Sequence, residues 1–251
     1  MPESSCRRLV KQHFEVHQTA VTMIAEAEYL STGKAAIFEA REVIERFIDA
    51  DPLFRDTLEP YREPADSHPL IRRMCDAGRA AEVGPMAAVA GAIAEFSVEA
   101  MRDMGSDHAI VDNGGDIALL LAEETNVGIY TLNPKFRGLG LHCHPSDAIV
   151  GICTSSGLIG PSISFGRAES ATVVSKNVTL ADACATRLGN LIASDDRHVI
   201  EEALDAVTSI QGIEGALVIV GDSIGVKGVL PDLVNVQFSE REVAGIRFSG
   251  Q

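Results

Sequence analysis

The sequence has no tryptophan, and only 5% of its 251 residues are aromatic. Cysteine is also scarce and irregularly placed, since the five thiols include no C-x-x-C pair. They are Cys6, Cys75, Cys143, Cys153 and Cys184. An odd, scattered set of this kind argues against a disulfide framework and against a zinc finger. We therefore expect reduced thiols.

Long apolar runs and an excess of positive charge are absent as well. No apolar segment approaches the roughly 20 residues that a membrane helix needs, and the N-terminal arginines precede no apolar segment of a secretory signal. The formal net charge of −15 argues against nonspecific nucleic-acid binding, which depends on Lys and Arg. It leaves room for a small anionic ligand held at a helix N-terminus. We predict a soluble cytoplasmic protein with no nucleic-acid and no membrane partner.

The remaining composition is that of an ordinary globular chain. Hydrophobic residues make up 46% and charged residues 23% of the sequence, which is enough apolar material for a sizeable core. No internal repeat, low-complexity segment or long linker divides the chain. We therefore predict one domain over residues 1–251.

Helical periodicity is clearest in two segments. The first helix is introduced by Ser31-Thr32-Gly33 and ends at Asp51-Pro52. Between them, apolar residues recur at helical spacing from Ala40 to Ile48. Residues 52–69 contain four prolines among charged residues and predict an irregular, mobile connection. The second helix lies within 78–105, where Pro85 suits its first turn and Gly105 its C-terminal stop. It is rich in Ala and Gly, so another backbone or a flat ligand could approach it closely. A tightly packed core helix would have the same composition.

Short strands dominate the rest of the chain. One or two are expected within 13–29, and the others are HAIVD, DIALLLA, VGIYTL, GLGLHCH, AIVGICT, SATVVS, ALVIVG and a last strand near 233–238. Two further helices are expected, from about Thr179 and around 198–207. Because strands neighbour one another without strict βαβ alternation, the pattern indicates an α+β fold with a mostly antiparallel sheet packed with helices.

The turn Asp112-Asn113-Gly114-Gly115-Asp116 joins two of these strands. Asn-Gly alone suffices for a tight hairpin, so the second glycine and the following aspartate need another reason. Glycine permits positive φ and close approach of main chain to a ligand. The turn is therefore a candidate ligand-binding loop.

A second candidate is the pair Asp182 and Thr186. On a helix these residues lie one turn apart on the same face, and a carboxylate with a hydroxyl supplies the hard oxygen ligands that Mg²⁺ favours. The alternative is that Asp182, or Thr179, caps the start of a helix.

A third candidate is the hydroxyl-rich segment Thr154, Ser155, Ser156 and Gly157, which leaves an apolar strand. Its hydroxyls and N–H groups could face anionic oxygens, or it could be a plain surface loop. No lysine follows in the P-loop pattern, and no G-x-S-x-G elbow indicates a serine hydrolase.

Two histidines, His142 and His144, occupy alternate positions of a strand and so share one face. Such a pair could bind a metal, but no third ligand is apparent nearby in the sequence. Ordinary strand positions are the favoured interpretation. The hairpin GDSIGVKG at 221–228 is interpreted as structural.

Taken in order, these blocks resemble the ApbE superfamily of flavin transferases. An Ala-rich helix with glycine, D-N-G-G-D, T-S-S-G and A-D-A-x-A-T follow one another over residues 80–195. A short ApbE-related branch of that superfamily is more similar still. Its signature blocks match VGPMAAVAGAIAE, VDNGGDI, GICTSSG, SISFGRA and LADACATRLGN, with DPLF upstream, so this resemblance extends over most of the chain.

The resemblance implies an ApbE-like, T-fold-like architecture and a pocket for FAD or FMN with Mg²⁺. Asp182 and Thr186 would then be the metal ligands. The cofactor-binding residues would be Gly91, Glu95, Asn113, Gly114, Gly115, Asp116, Thr154, Ser155, Ser156 and Gly157. Assembly into a homo-oligomer is also implied, because T-fold relatives often associate through their sheets.

Departures from the transferases bear on activity. The Lys-Gly pair on their Ala-rich helix is Ala90-Gly91 here, and Glu95 stands where they carry Asp. Their longer segment with a His and an Asp-Pro loop after the hydroxyl-rich block has no counterpart. These differences argue against FMN transfer itself while keeping a pocket for a flavin or another anion with Mg²⁺. No catalytic residue is assigned.

The alternative function is that of an accessory protein, without catalysis, in sulfur or homocysteine metabolism acting with partner proteins. A reactive or persulfide-carrying Cys153 beside Thr154 would belong to that second hypothesis.

Overall fold

The computed structural model describes residues 8–16, 19–156 and 166–236. Its helices are α1 (Ala27–Ala50), α2 (Leu53–Asp56), α3 (Pro69–Ala81), α4 (Val89–Asp103), α5 (Val178–Leu191) and α6 (Arg197–Thr208), and a 3₁₀ turn at Pro85–Ala88 precedes α4. Its strands are β1 (Leu9–Val16), β2 (Thr19–Glu26), β3 (Ala109–Asn113), β4 (Asp116–Leu121), β5 (Thr125–Gly128), β6 (Leu139–Cys143), β7 (Ser146–Ser155), β8 (Ser170–Ser175), β9 (Ile213–Val220), β10 (Ser223–Gly228) and β11 (Asp232–Asn235).

The strands form an eight-stranded sheet and a three-stranded sheet. The large sheet has the order β1-β2-β3-β4-β7-β8-β9-β10, and the small one has the order β11-β6-β5. The strand pairs of both sheets are antiparallel. The predicted α+β fold with a mostly antiparallel sheet is therefore confirmed.

Two apolar cores cover the two faces of the large sheet. Because side chains alternate along a strand, Ala109 and Val111 of β3 join the core shared with the helices, whereas Ile110 between them joins the second core. That second core also contains Val127 of β5 and Leu141 of β6. The protein thus has three layers, which are the helices, the large sheet and the small sheet. Successive residues of a strand in the large sheet alternate between the two cores.

The first helix begins earlier than predicted. It starts at Ala27, directly after β2, and the Ser-Thr-Gly signal lies inside it. Leu30 is buried against the core, so tertiary packing extends the helix upstream of the polar residues that resemble a cap. The predicted end at Asp51-Pro52 is confirmed.

The helix predicted within 78–105, with Pro85 in its first turn and a stop at Gly105, is confirmed over Pro85–Asp103, where a 3₁₀ turn leads into α4. Residues 78–81 end α3, Glu82 takes a left-handed conformation, and the chain restarts at Pro85. The axis bends by 105° between Pro69–Ala81 and Pro85–Asp103. Within the described ranges, no single helix is long and apolar enough to cross a membrane. This bent pair, taken together, has the length and composition that a membrane span requires, and it is the one such pair in those ranges.

The proline-rich segment 52–69 was predicted to be an irregular, mobile connection, yet it contributes to the core. It begins with the short helix α2, whose Phe54 is fully buried. The Phe54 ring packs edge-on against Phe47 at a centroid distance of 4.8 Å and against Tyr61 at 5.4 Å. The Tyr61 hydroxyl donates to Asp51 Oδ2 at 2.5 Å. These contacts fasten the segment to the end of α1.

We expect Phe54→Ala to lower the free energy of unfolding by about 3–5 kcal/mol, the usual cost of removing a fully buried aromatic ring. Urea denaturation followed by circular dichroism measures the change. Leu58→Ala, on an exposed side chain of the same segment, is the matched control and should cost far less. Equal effects of the two substitutions would contradict the anchoring role of Phe54.

Candidate functional site

The turn between β3 and β4 is a two-residue hairpin with Gly114 and Gly115 at its centre. Asn113 pairs with Asp116 across the ends, and both glycines have positive φ, +70° and +104°. A hairpin turn of type I′ needs positive φ at both central positions, so conformation alone explains the second glycine. Among the described residues other than its chain neighbours, none has a heavy atom within 4 Å of a Cβ built on Gly114. Open space beside the turn is thus available to a ligand.

Side chains flanking the turn fix it in place. Asp112 Oδ1 accepts a hydrogen bond from Gly115 N at 2.9 Å, and Asn113 Nδ2 donates to the carbonyl of Ala90 at 3.1 Å. The second bond ties the hairpin to the start of α4. The predicted residues Asn113 to Asp116 therefore lie next to the predicted Gly91.

Asp182 on α5 caps the N-terminus of α4. Its Oδ2 accepts from Gly91 N at 2.7 Å, and the N–H of Ala90 is a second donor to the carboxylate. The first N–H groups of a helix have no partner within the helix, so this carboxylate satisfies two of them. The alternative in which Asp182 caps a helix is thus realised, but on the neighbouring helix.

Glu95 on α4 caps the N-terminus of α5 in return. Its carboxylate accepts from the N–H groups of Val178 and Thr179, each at 3.2 Å, and from Thr179 Oγ1 at 2.6 Å. Arg73 Nη1 lies 3.4 Å from the same carboxylate. The structure thus gives Glu95 a full set of protein partners, and its predicted contact with a cofactor stays a prediction.

The two helices can exchange these caps because Gly91 lacks a side chain. A Cβ at this position would lie 2.7 Å from Asp182 Cβ and 2.9 Å from the carbonyl oxygen of Val178. These separations are too short for carbon contacts, so only glycine fits. Close helix packing is one of the two explanations given for the Ala- and Gly-rich composition of this segment.

Asp116 brings a second buried carboxyl group to this place. Its Oδ1 is enclosed and has no hydrogen-bond partner in the part of the chain that the structure describes. Burial, the charge of Asp182 and the charge of Asp112 raise the pKa of Asp116 well above its usual range. Burial also raises the pKa of Asp182 to about 7, against the opposing effect of the hydrogen bonds from Gly91 and Ala90. Asp116 and Asp182 therefore either retain protons or require a bound cation that compensates their negative charge.

Thr186 lies one turn beyond Asp182 on α5 and is half-buried. This spacing places both side chains on one face of the helix, as predicted for a metal pair. The structure thus gathers Gly91, Asp116 and Asp182, with Thr186 one turn away, at the junction of α4, α5 and the hairpin.

The residues at the start of the hydroxyl-rich segment lie at the end of β7, so their side chains alternate between the two faces of the large sheet. Asp116 and Cys153 are paired across β4 and β7 and share the face towards the helices. Thr154 is the next residue along β7, so its side chain points to the opposite face, where its Oγ1 lies 2.9 Å from Thr172 Oγ1. Ser155 is buried, Ser156 is half-buried, and Gly157 lies outside the described residues.

The surroundings of Cys153 do not favour a reactive thiol. The side chain is fully buried, and its Sγ donates to the carbonyl of Val178 at 3.5 Å. Burial first, and the charges of Asp116 and Asp182 second, raise the pKa of Cys153 well above its usual range. Because the thiolate is the nucleophile, this environment suppresses the chemistry that a persulfide carrier needs.

Comparison with known proteins identifies the family. The family model described as "AbpE bacteria" matches residues 5–225. The chain belongs to this ApbE-like family. A "UPF0280 protein" of Methanothrix thermoacetophila is 47% identical over 227 residues, covering 90% of this chain and 94% of the relative. Another from Methanosarcina acetivorans is 45% identical over 232 residues, covering 92% and 91%.

Solved structures confirm the ApbE-like fold. The flavin transferase ApbE from Vibrio cholerae matches with a TM-score of 0.55 at 13% identity, covering 88% of this chain and 97% of that one. The apo flavinyl transferase ApbE from Pseudomonas stutzeri matches with a TM-score of 0.57 at 10% identity, covering 88% and 94%. At such identities the likeness establishes architecture alone, so the chemistry of this ApbE-like chain has to be argued from its own residues.

The exchange of caps makes Glu95 a stability determinant. We expect Glu95→Ala to lower the free energy of unfolding by at least about 2 kcal/mol, since it leaves the N–H groups of Val178 and Thr179 and the Thr179 hydroxyl without their acceptor. Glu99→Ala is the matched control, because Glu99 also contacts Arg73, at 2.9 Å, but caps no helix. It should cost about 1 kcal/mol or less. Chemical denaturation measures both, and a similar cost for the two would refute the capping role.

The raised pKa of Asp182 predicts a pH-dependent stability. An unfolded aspartate ionises at its ordinary pKa of 3.8, whereas the folded protein retains the proton up to about 7. Between these values the folded state binds more protons, so the contribution of Asp182 to stability falls as the pH rises and is constant above 7. Its upper limit is about 4 kcal/mol.

Asp182→Asn tests this, because the amide oxygen can still accept from Gly91 N while the ionisable group is gone. The free energy of unfolding should fall less for the variant than for the wild type between about pH 5 and about pH 8. Parallel pH profiles for the two proteins would show that Asp182 ionises normally.

Proposed function

We propose that this ApbE-like protein binds a flavin nucleotide, FAD or FMN, or another phosphate-bearing anion, together with Mg²⁺. The site is the junction of the Gly114-Gly115 hairpin with the N-terminal end of α4 and the Asp182–Thr186 face of α5. The observation that carries the proposal is the buried Asp116 Oδ1, which has no partner in the described chain and lies close to a second buried carboxyl group.

The donor set fits a magnesium ion. Asp182 and Thr186 offer a carboxylate and a hydroxyl oxygen, and Asp116 offers a further carboxylate. Mg²⁺ takes such oxygens and leaves its remaining positions to water and to substrate phosphates. A dication would also compensate the burial of Asp116 and the neighbouring charges of Asp182 and Asp112, which together raise its pKa. When bound, it would neutralise negative charge on a phosphate group.

The protein's own groups would position the ligand. Open space beside Gly114 lets a ligand approach the hairpin main chain. The positive end of the α4 dipole lies at the same place and favours an anion. Its Ala90 and Gly91 N–H groups are already bound to Asp182, so they hold the metal-binding carboxylate in position rather than contact phosphate themselves.

Binding is proposed here rather than FMN transfer. The name of the structural neighbours makes flavin the first ligand to test, and the family membership supports the same choice. The chain carries alanine at position 90, where the sequence comparison with the transferases expects lysine, so a cation near the phosphates is missing. The pocket is therefore better equipped to hold a flavin nucleotide through the metal than to transfer it.

The test is a titration of the purified protein into FAD and FMN, followed by flavin fluorescence polarisation with and without Mg²⁺. We expect binding that requires Mg²⁺ and that Asp182→Asn and Thr186→Val each weaken at least about tenfold, since each removes a proposed metal ligand. The control is Asp147→Asn, which alters an exposed carboxylate on β7 and should leave the affinity unchanged.

Flavin binding that persists unchanged in Asp182→Asn would refute the metal assignment. Absence of flavin binding in both Mg²⁺ conditions would refute the flavin assignment. Pyrophosphate and ADP, titrated by calorimetry with Mg²⁺, would then decide whether the site takes phosphate-bearing anions at all.

A further inference from the structure

A cluster of two histidines and a glutamate lies on the small sheet, away from the helices. Glu124 precedes β5, His142 is in β6, and His144 follows β6. Glu124 Oε2 lies 3.5 Å from His142 Nε2, and Glu124 Oε1 lies 3.4 Å from His144 Nδ1. One ligand atom from each residue falls within 4.8 Å of the other two. Three side chains, one from β6 and two from the ends of β5 and β6, thus converge on one point.

The strand register brings these residues together. Thr125 is paired with Cys143, and Asn126 with His142. Because alternate residues share a face, the side chains of Glu124 and Asn126 lie on the face that carries His142 and His144. The third ligand, which the sequence did not reveal, is therefore supplied by the neighbouring strand.

Asn126 orients the ring of His142. The Oδ1 of Asn126 lies 2.7 Å from His142 Nδ1. A carbonyl oxygen only accepts hydrogen bonds, so this contact assigns the proton to Nδ1 and leaves the lone pair on Nε2 facing Glu124. Histidines that bind metals almost always donate their other ring N–H to such an outer partner.

His144 has a second carboxylate on its far side. Its Nε2 lies 3.7 Å from Asp232 Oδ2, at the start of β11. The two imidazole rings stand edge to face, with centroids 4.8 Å apart. Two imidazoles and two carboxylates therefore surround one place, and a bound dication there would balance the charge of the two carboxylates.

We propose that Glu124, His142 and His144 form a site for a divalent transition-metal ion of the zinc class. Imidazole nitrogen with one carboxylate suits Zn²⁺ and the neighbouring ions Co²⁺ and Ni²⁺ rather than Mg²⁺. The site is separate from the proposed magnesium site, because it lies on the small sheet and the magnesium site lies on the helix side of the large sheet.

The site is open on one side. The side chains of Glu124 and His144 are 61% and 60% exposed, whereas that of His142 is 26% exposed. Both histidines also line a cavity of about 240 Å³ whose other walls include Leu121 and Val150 of the large sheet. Three protein ligands leave at least one position of a tetrahedral ion for water or for a ligand in that cavity.

The experiment uses the untagged full chain, freed of metal with a chelator. Zn²⁺ binding is measured by calorimetry against a competing chelator, and Co²⁺ binding by visible absorption, which reports the coordination geometry. We expect one equivalent of Zn²⁺, and a loss of at least about 100-fold in affinity for His142→Ala, His144→Ala and Glu124→Gln. Asn126→Ala should cost about 10–100-fold, as outer partners do.

His198→Ala is the matched control. His198 and Glu202 form an exposed histidine–carboxylate contact at 3.3 Å on α6, and no third ligand joins them among the residues that the structure describes. The variant should therefore bind Zn²⁺ like the wild type. Asp182→Asn should also leave Zn²⁺ binding unchanged, which separates this site from the proposed function.

The proposal is overturned if the wild-type chain binds no Zn²⁺. It is also overturned if His144→Ala and Glu124→Gln bind Zn²⁺ as tightly as His198→Ala. Both of these side chains are largely exposed, so the variants are expected to fold even if His142→Ala does not. Circular dichroism checks this for each variant.

Discussion

The exchange of carboxylates between α4 and α5 is the interaction on which the candidate site depends. Asp182 satisfies N–H groups at the start of α4, and Glu95 satisfies those at the start of α5. Each helix thereby fixes the N-terminal end of the other, and Gly91 lets the two approach closely enough. The cost is a carboxyl group buried beside Asp116. Two of the acidic side chains of this chain thus lie side by side in its interior, where burial raises the pKa of both.

The sequence predicted the fold well because its signals are local. Short apolar runs in β3 and β4 mark strands, and the helical spacing from Ala40 to Ile48 marks α1. The errors have a common cause, which is that tertiary contacts override local signals. Leu30 packs into the core and extends α1 upstream, and Phe54 draws a proline-rich segment into the aromatic cluster with Phe47 and Tyr61.

The candidate sites were predictable only in part. The spacing of Asp182 and Thr186 and the composition of the 112–116 turn are visible in the sequence. The capping role of Glu95 is not, because its partners lie more than eighty positions away in the chain. Glu124 could not be joined to His142 and His144 without the register of β5 and β6. Likewise, Thr154 is adjacent to Cys153 in sequence, yet its side chain lies on the other side of the sheet.

This last feature has a consequence for how such a protein can change. Consecutive residues of β3, β4 and β7 serve opposite compartments, one bordered by helices and the other by the small sheet. A substitution in one compartment leaves the lining of the other intact, although the two residues are neighbours in the chain. The large sheet therefore separates the helix side from the small-sheet side. Substitutions in a lineage could alter or remove a binding site on one side while leaving the residues on the other side unchanged. In this architecture, a descendant can therefore inherit the fold without inheriting any particular activity.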